Sequence, residues 1–140
     1  MTAFMKPSLL IAFLASLILL VAPACNSMRG AQATEDYNAS PLTVAVPGNL
    51  SAQTVQELMV KAFQNRDWSV TSSSANEVTA TLDHRGFNAR ATLQRNGDII
   101  TLYNHSTYNN PKTGESEPAV PYGWLENIQK DLRVYLARGN

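Results

Sequence analysis

The chain has 140 residues, of which 44% are hydrophobic and 16% charged, and its eleven basic residues balance eleven acidic ones. This length suits a single domain with a core of its own, and the absence of a basic excess argues against nucleic acid as a partner. Cys25 is the only cysteine, so the rest of the chain has neither disulfides nor a cysteine-based metal site. We therefore expect an ordinary apolar core without a cofactor.

The N-terminal segment has the pattern of an export signal. Lys6 precedes an apolar block of thirteen residues at positions 9–21, in which Ser16 is the one polar residue, and small residues follow at 22–24. A helix of that length spans about 20 Å, whereas the hydrocarbon core of a bilayer is about 30 Å thick. The block is too short for a comfortable transmembrane helix, and we predict that residues 1–24 are a cleaved signal peptide.

The only cysteine directly follows this signal. The string VAPAC at 21–25 resembles a bacterial lipoprotein signal, in which the cysteine becomes the first residue and carries lipid, although Ala22 stands where that family favours leucine. The resemblance implies that Cys25 carries acyl chains such as palmitate, and two or more chains anchor a protein stably. Asn26 stands where an aspartate would favour the inner membrane, which slightly favours the periplasmic face of the outer membrane. The alternative is ordinary cleavage after Ala24, which would release a soluble periplasmic enzyme or inhibitor.

The segment after the signal is polar and lacks an apolar period. We predict that residues 25–41 are the lipidated N-terminus and a flexible tether, and that residues 42–140 form the domain. The domain opens with a short strand, because Leu42, Val44 and Val46 alternate with smaller or polar residues. Prolines bracket this strand and indicate an edge position, since proline cannot donate to a ladder.

Two segments carry the spacing of amphipathic helices. The first begins at the N-cap Ser51 and ends near Asp67, and the second follows Pro121 and stops at Gly139. Their apolar positions recur at intervals of three and four residues, which predicts one buried stripe on each helix. The stripes comprise Val55, Leu58, Met59, Ala62 and Phe63 in the first helix, and Leu125, Ile128, Leu132 and either Tyr135 or Leu136 in the second.

Between the helices, apolar residues alternate with polar ones in residues 78–82 and 87–93, residues 99–107 are the returning strand, and Trp68 begins a further short strand. Asn96-Gly97 predicts a type I′ hairpin turn. One face of this meander is apolar, and the other carries Thr, Arg, Asn and Gln. The order β-α-β-β-β-α predicts an α+β fold, as a two-layer sandwich of an antiparallel sheet of three to five strands with two helices on one face.

The sequence contains few candidates for chemistry. His84 and His105 could share a metal ion with Asp83, but they lack the helical spacing of a zinc motif, and we favour exposed histidines at strand ends. Ser106 lies outside any nucleophile-elbow motif. The sequence therefore predicts no catalytic residue, no metal site and a protein that is not an enzyme.

The stretch LYNHSTYNN at 102–110 combines aromatic rings with amide groups. Such residues are enriched at recognition surfaces and suit sugars, peptides or proteins. We predict a recognition surface there, with core tyrosines and turn-forming asparagines as the alternative. The residues are Tyr103, Asn104, Tyr108, Asn109 and Asn110.

Residues 42–138 resemble a family of small, uncharacterised bacterial lipoproteins. The resemblance rests on NRDW at 65–68, where a helix ends just before tryptophan, on the meander of short strands, and on YGWL at 122–125, where the last helix opens. It implies a compact α+β domain held in the cell envelope. We expect a non-catalytic binding or structural module whose partners are the membrane, through lipid on Cys25, and another envelope protein or a glycan.

Overall fold

The structure, a computed structural model, describes residues 27–140. The predicted signal peptide, Cys25 and Asn26 lie outside the described residues. Residues 27–140 form three helices and an open antiparallel sheet of eight strands, which confirms the α+β class. The elements are, in chain order, β1 (Met28–Arg29), α1 (Ala31–Ala39), β2 (Leu42–Ala45), α2 (Ala52–Gln64), β3 (Ser69–Ser73), β4 (Glu77–His84), β5 (Phe87–Asn96), β6 (Ile99–Asn104), β7 (Thr107–Asn109), β8 (Ser116–Val120) and α3 (Tyr122–Arg138).

The sheet is built around β5, the longest strand. One side of β5 pairs with β4, which pairs in turn with β3. The other side pairs with β6 and then, in the same register, with β7, so that β6 and β7 follow one line interrupted at His105 and Ser106. Beyond that line the sheet divides, because β2 pairs with β6 whereas β8 pairs with β7 and carries β1 on its outer side.

The core lies between the apolar face of the sheet and the two predicted helices. The Ser51 hydroxyl accepts a hydrogen bond from the backbone N–H of Thr54 at 3.1 Å, which confirms the predicted N-cap. Both predicted stripes are buried, and Leu136 rather than Tyr135 completes the second. The facing strand residues include Val78, Ala91, Leu93, Ile100 and Leu102.

The two hairpins adjoining β5 differ from each other in their turns. Asn96 pairs with Ile99, so the loop residues are Gly97 and Asp98 rather than the predicted Asn96-Gly97. Gly97, at the first central position, has a φ of +63°, which fits a type II′ turn and not the predicted type I′. The type I′ pattern occurs instead between β4 and β5, where Arg85 and Gly86 both have positive φ.

The prediction of a flexible tether over residues 25–41 is wrong for Met28–Ala39, where β1 and α1 form. Helix α1 lacks an apolar stripe and is fixed by long-range contacts. Its one buried residue, Tyr37, donates its hydroxyl to the carbonyl of Leu102 at 2.7 Å. Burial raises the pKa of Tyr37 well above its ordinary value.

The predicted numbers of strands and helices are also too low, because the additional elements lack an apolar pattern and depend on partners elsewhere in the chain. The sheet has eight strands rather than three to five, and three helices replace the expected two within residues 27–140. The additional strands β1, β7 and β8 lie in segments that the sequence predicted as tether or loop. They are two to five residues long and include Pro118, so they carry no recognisable alternation and are stabilised by pairing with one another and with β5.

Candidate functional site

A cleft of about 310 Å³ opens where the end of α2, strand β4 and the start of α3 meet. We call it the aromatic cleft. Its apolar walls are Trp68, Leu82 and Trp124, with the imidazole of His84 beside them. Its polar groups belong to Arg66, Asp67 and Asn127. Leu82 and His84 lie on the helix-covered face of β4, because they share its alternation with the buried Val78 and Ala80.

The turn after α2 places two of these residues. The backbone N–H of Trp68 donates to the carbonyl of Phe63, and that of Asp67 donates to Gln64, both at 3.1 Å. This is the Schellman arrangement of a helix end. It directs Trp68 into the core, where only 3% of the residue is exposed and its ring lies 5.5 Å from the ring of Phe63. Asp67, with a φ of +63°, remains exposed at the rim of the cleft.

An ion pair joins the turn after α2 to helix α3 at the same rim. The Nε and Nη2 atoms of Arg66 donate to the two carboxylate oxygens of Asp131 at 2.7 and 3.0 Å. This bidentate hydrogen bond raises the pKa of Arg66 above its ordinary value. The guanidinium is therefore held in place with its charge compensated. Asp67 has no basic partner within 4 Å in the described part of the chain.

A row of aromatic side chains leads from the aromatic cleft toward β1. The rings of Trp124 and His84 lie 5.8 Å apart, those of Trp124 and Phe87 lie 5.3 Å apart, and those of Phe87 and Tyr108 lie 4.9 Å apart. The guanidinium of Arg29 lies 3.6 Å from the centre of the Tyr108 ring. Cross-strand pairing explains the row, since His84, Phe87 and Tyr108 are successive partners on β4, β5 and β7.

The ring of Tyr108 packs closely over Gly86. Replacing Gly86 with alanine tests this contact. A Cβ atom at Gly86 would lie 2.9 Å from a ring carbon of Tyr108, whereas one at Gly97 would meet nothing within 4 Å. Both glycines have positive φ, so alanine costs about 1–2 kcal/mol of backbone strain at either position. We expect Gly86→Ala to lower the free energy of unfolding by about a further 1 kcal/mol through crowding. Urea unfolding of the two variants measures the difference, and equal losses would show that Tyr108 gives way freely.

The five residues of the predicted recognition surface do not form one surface. Asn104 is fully buried, which corrects its assignment to a surface. Strand alternation places Asn104 and Tyr108 on the helix-covered face and Tyr103 and Asn109 on the opposite one. Asn110 begins the following loop, where its side-chain oxygen accepts a hydrogen bond from the backbone two residues later. The aromatic and amide groups of this stretch are thus divided between different parts of the molecule.

Asn104 instead belongs to a buried polar network at the point where β2 and β8 separate. Its Nδ2 donates to the carbonyl of Ala119 at 2.8 Å, and its Oδ1 accepts from the N–H of Ser106 at 3.3 Å. The side chain of Asn38, on α1, pairs with both backbone groups of Asn104 at 2.9 and 3.1 Å. We call Asn38, Asn104 and Ser106 the polar fork. It satisfies backbone groups that a continuous neighbouring strand would otherwise pair.

Ser106 has a structural part in this network. Its hydroxyl accepts a hydrogen bond from the backbone N–H of Arg90 at 3.0 Å and lies 3.3 Å from the carbonyl of the same residue. Only 2% of Ser106 is exposed. The neighbouring His105 is exposed on the opposite face of the strand. Ser106 and His105 therefore lack the geometry of a nucleophile with its base.

The two histidines are not brought together either. His84 lies on the helix-covered face with its partner Phe87, whereas His105 and Asp83 alternate to the other face. A metal ion bound jointly by these three side chains would need ligands on both sides of the sheet. Throughout residues 27–140, no group of three or more histidine, cysteine, aspartate or glutamate residues could hold a metal ion.

The comparisons with known proteins add no relative. A scan against protein-family models gave no match, and neither the search of curated proteins nor that of solved structures gave one. In the described part of the chain, no helix has the length and apolar character needed to cross a membrane. Among the described residues, the aromatic cleft is the candidate functional site, and the predicted N-terminal signal bears on location.

The sequence pattern does not mark the residues of the cleft as a site. Trp68 and Trp124 stand in NRDW and YGWL, the two strings that carry the resemblance to small lipoproteins. The pattern assigned Trp68 to the start of a strand and Trp124 to the start of a helix. Trp68 and Trp124 come together because α2 packs against α3, and local periodicity does not predict that packing.

Proposed function

We propose that this chain is a lipid-anchored protein of the bacterial cell envelope, whose α+β domain is a non-catalytic binding or structural module. The lipid would be carried by Cys25, at the end of VAPAC. One structural observation supports a close association with the membrane: β1 pairs with β8 through Met28 with Val120 and Arg29 with Ala119. The folded domain thus begins three residues after the proposed lipid site.

This short connection changes the expected position of the domain. Three extended residues span at most about 11 Å, so lipid on Cys25 would hold the β1 edge of the sheet close to the bilayer surface. A flexible tether over residues 25–41 would have allowed a far longer reach. Met28 is 42% exposed on that edge. The domain would therefore act at the membrane surface itself, on ligands or partners present there.

The periplasmic face of the outer membrane is the favoured location, because Asn26 rather than an aspartate follows the cysteine. The competing proposal is a soluble periplasmic enzyme or inhibitor released by ordinary cleavage after Ala24. The sequence Ala22-Pro23-Ala24 favours that reading, since small residues at alternate positions suit ordinary signal cleavage. The two proposals differ in the mass of the mature N-terminus and in the fraction where the protein is recovered.

The anchoring proposal predicts that Cys25→Ser moves the protein from the membrane fraction to the soluble fraction. Two or more acyl chains anchor a protein stably, and removing the thiol removes their attachment point. Membrane fractionation and mass spectrometry of the mature N-terminus measure the result. Ser27→Ala is the matched control, and it should remain with the membrane. A wild-type chain that begins with an unmodified Cys25, or is recovered as soluble protein, would refute the lipid anchor.

A further inference from the structure

We propose that the aromatic cleft is a saccharide-binding site in which a pyranose ring packs against Trp124. The inference deepens the proposed function and rests on it only in treating the domain as a binding module, since the cleft does not depend on the lipid. The cleft of about 310 Å³ lies at the lower end of the range of about 300–1,000 Å³ that small-molecule sites occupy. This size suits a small ring better than an extended chain.

The apolar part of the cleft matches one face of a sugar ring. Trp124 is half-buried, packs against Phe87 and lines the cleft, while Trp68 and Leu82 close it from the core side. The half-buried indole of Trp124, with the imidazole of His84 beside it, offers a flat, rigid surface that loses little conformational entropy on binding. The C–H groups on one face of a pyranose can be buried on such a surface while its hydroxyls point outward.

The polar part of the cleft matches those hydroxyls. Arg66, Asp67 and Asn127 carry planar guanidinium, carboxylate and amide groups, and each group can bond to two neighbouring hydroxyls. A purely apolar ligand, such as a leucine side chain of a peptide, would desolvate these groups without pairing them. Sites with placed polar groups discriminate strongly against ligands that leave those groups unpaired.

The charges of the cleft favour a neutral or amino sugar over an anion. Asp131 compensates the charge of Arg66 through two hydrogen bonds, whereas Asp67 has no basic partner within 4 Å among residues 27–140. The rim therefore carries an uncompensated carboxylate, which repels phosphates and acidic sugars. The same carboxylate is a strong acceptor for hydroxyl or ammonium hydrogens.

Asp67 also has a backbone conformation that favours glycine. Asp67 has a φ of +63° at a helix end where glycine is the usual residue. Glycine would relieve the strain and leave the Schellman hydrogen bonds in place. Side chains kept in such conformations are concentrated at functional sites. Asp67 is exposed and lines the rim of the cleft.

The test is ligand-observed NMR of the purified mature chain, in a detergent without a sugar headgroup. The probes are glucose, galactose, mannose and N-acetylglucosamine, as monosaccharides and as short oligosaccharides. We expect at least one probe to bind and Trp124→Ala to weaken it at least tenfold. Tyr103→Ala is the matched control, because Tyr103 is a half-buried aromatic residue on the opposite face of the sheet, and it should leave binding unchanged.

Asp67→Gly keeps the test decisive if Trp124→Ala fails to fold. We expect this variant to be at least as stable as the wild type and yet to bind the saccharide several-fold more weakly. The proposal is overturned if no probe binds, if binding survives both cleft variants, or if a tryptophan-rich peptide occupies the cleft and saccharides do not compete. A failure of the lipid anchor would appear in the mass of the N-terminus and leave saccharide binding intact, so the two proposals fail separately.

Discussion

Replacing Asn104 with alanine is expected to lower the free energy of unfolding by about 3 kcal/mol. The substitution removes both side-chain hydrogen bonds of a fully buried residue and leaves the carbonyl of Ala119 and the N–H of Ser106 without partners. A buried polar group that loses its partner costs about 1–3 kcal/mol. Domains are typically stable by about 5–15 kcal/mol, so this loss is a large share of the total. Urea unfolding followed by circular dichroism measures it.

Asn109→Ala is the matched control for this prediction. Asn109 lies on the same strand line, is exposed, and engages its neighbours through its backbone, whose N–H donates to the carbonyl of Gly86. A surface substitution of this kind changes stability by about 0.5 kcal/mol or less. If Asn104→Ala costs no more than Asn109→Ala, then water replaces the side chain and the polar fork does not stabilise the divided sheet.

The sequence contains a sign of the polar fork, because the composition of this stretch and its strand alternation give different positions for Asn104. Ile100 and Leu102 set the buried phase of the strand, and the same alternation continues through Asn104 and Ser106. Reading the stretch by composition placed Asn104 on a recognition surface, whereas its phase placed it inside. A polar residue on the buried phase indicates a hydrogen-bond network. The phase, rather than the residue type, was the informative signal.

Elements with strong periodicity could be predicted, and those stabilised by distant partners could not. Helices α2 and α3 and strands β4 and β5 carry an apolar repeat and form where the repeat predicts, whereas the strand predicted over residues 99–107 ends at Asn104 and is interrupted at His105 and Ser106. Helix α1 is fixed by Tyr37 and Asn38, whose partners Leu102 and Asn104 lie far along the chain. The strand β1 has only two residues and exists because β8 pairs with it.

The aromatic cleft shows the same limit for function. The sequence places Asp67 at the end of a helix, Trp68 at the start of a strand and Trp124 at the start of a helix, and each of these local roles accounts for its residue without a site. These residues come together because α2 packs against α3, and the Arg66–Asp131 ion pair links the turn after α2 to α3. The unusual feature of Asp67, an aspartate at positive φ, becomes visible only with backbone angles. For His84 and His105 the sequence is sufficient, because strand alternation alone places them on different faces of the sheet.

Phe63→Ala, in the core beneath the cleft, is the second substitution with a large expected effect. It should lower the free energy of unfolding by about 3–5 kcal/mol. Phe63 is fully buried on α2, and its ring packs 5.5 Å from that of Trp68. Truncation leaves a cavity that a close-packed core refills only in part. Because Trp68 closes the aromatic cleft, the cavity should also loosen that wall. Phe63→Leu keeps most of the volume and should cost under about 1.5 kcal/mol.

Fluorescence separates the local effect from the global one. The chain has two tryptophans, Trp68 and Trp124, so Trp124→Phe provides a background in which Trp68 alone reports. In that background, Phe63→Ala should shift the emission of the folded protein to longer wavelength, because water gains access to Trp68, whereas Phe63→Leu should leave it nearly unchanged. An unshifted emission with a full loss of stability would mean that the cavity is sealed from the cleft. The wall that Trp68 forms would then be independent of the core beneath it.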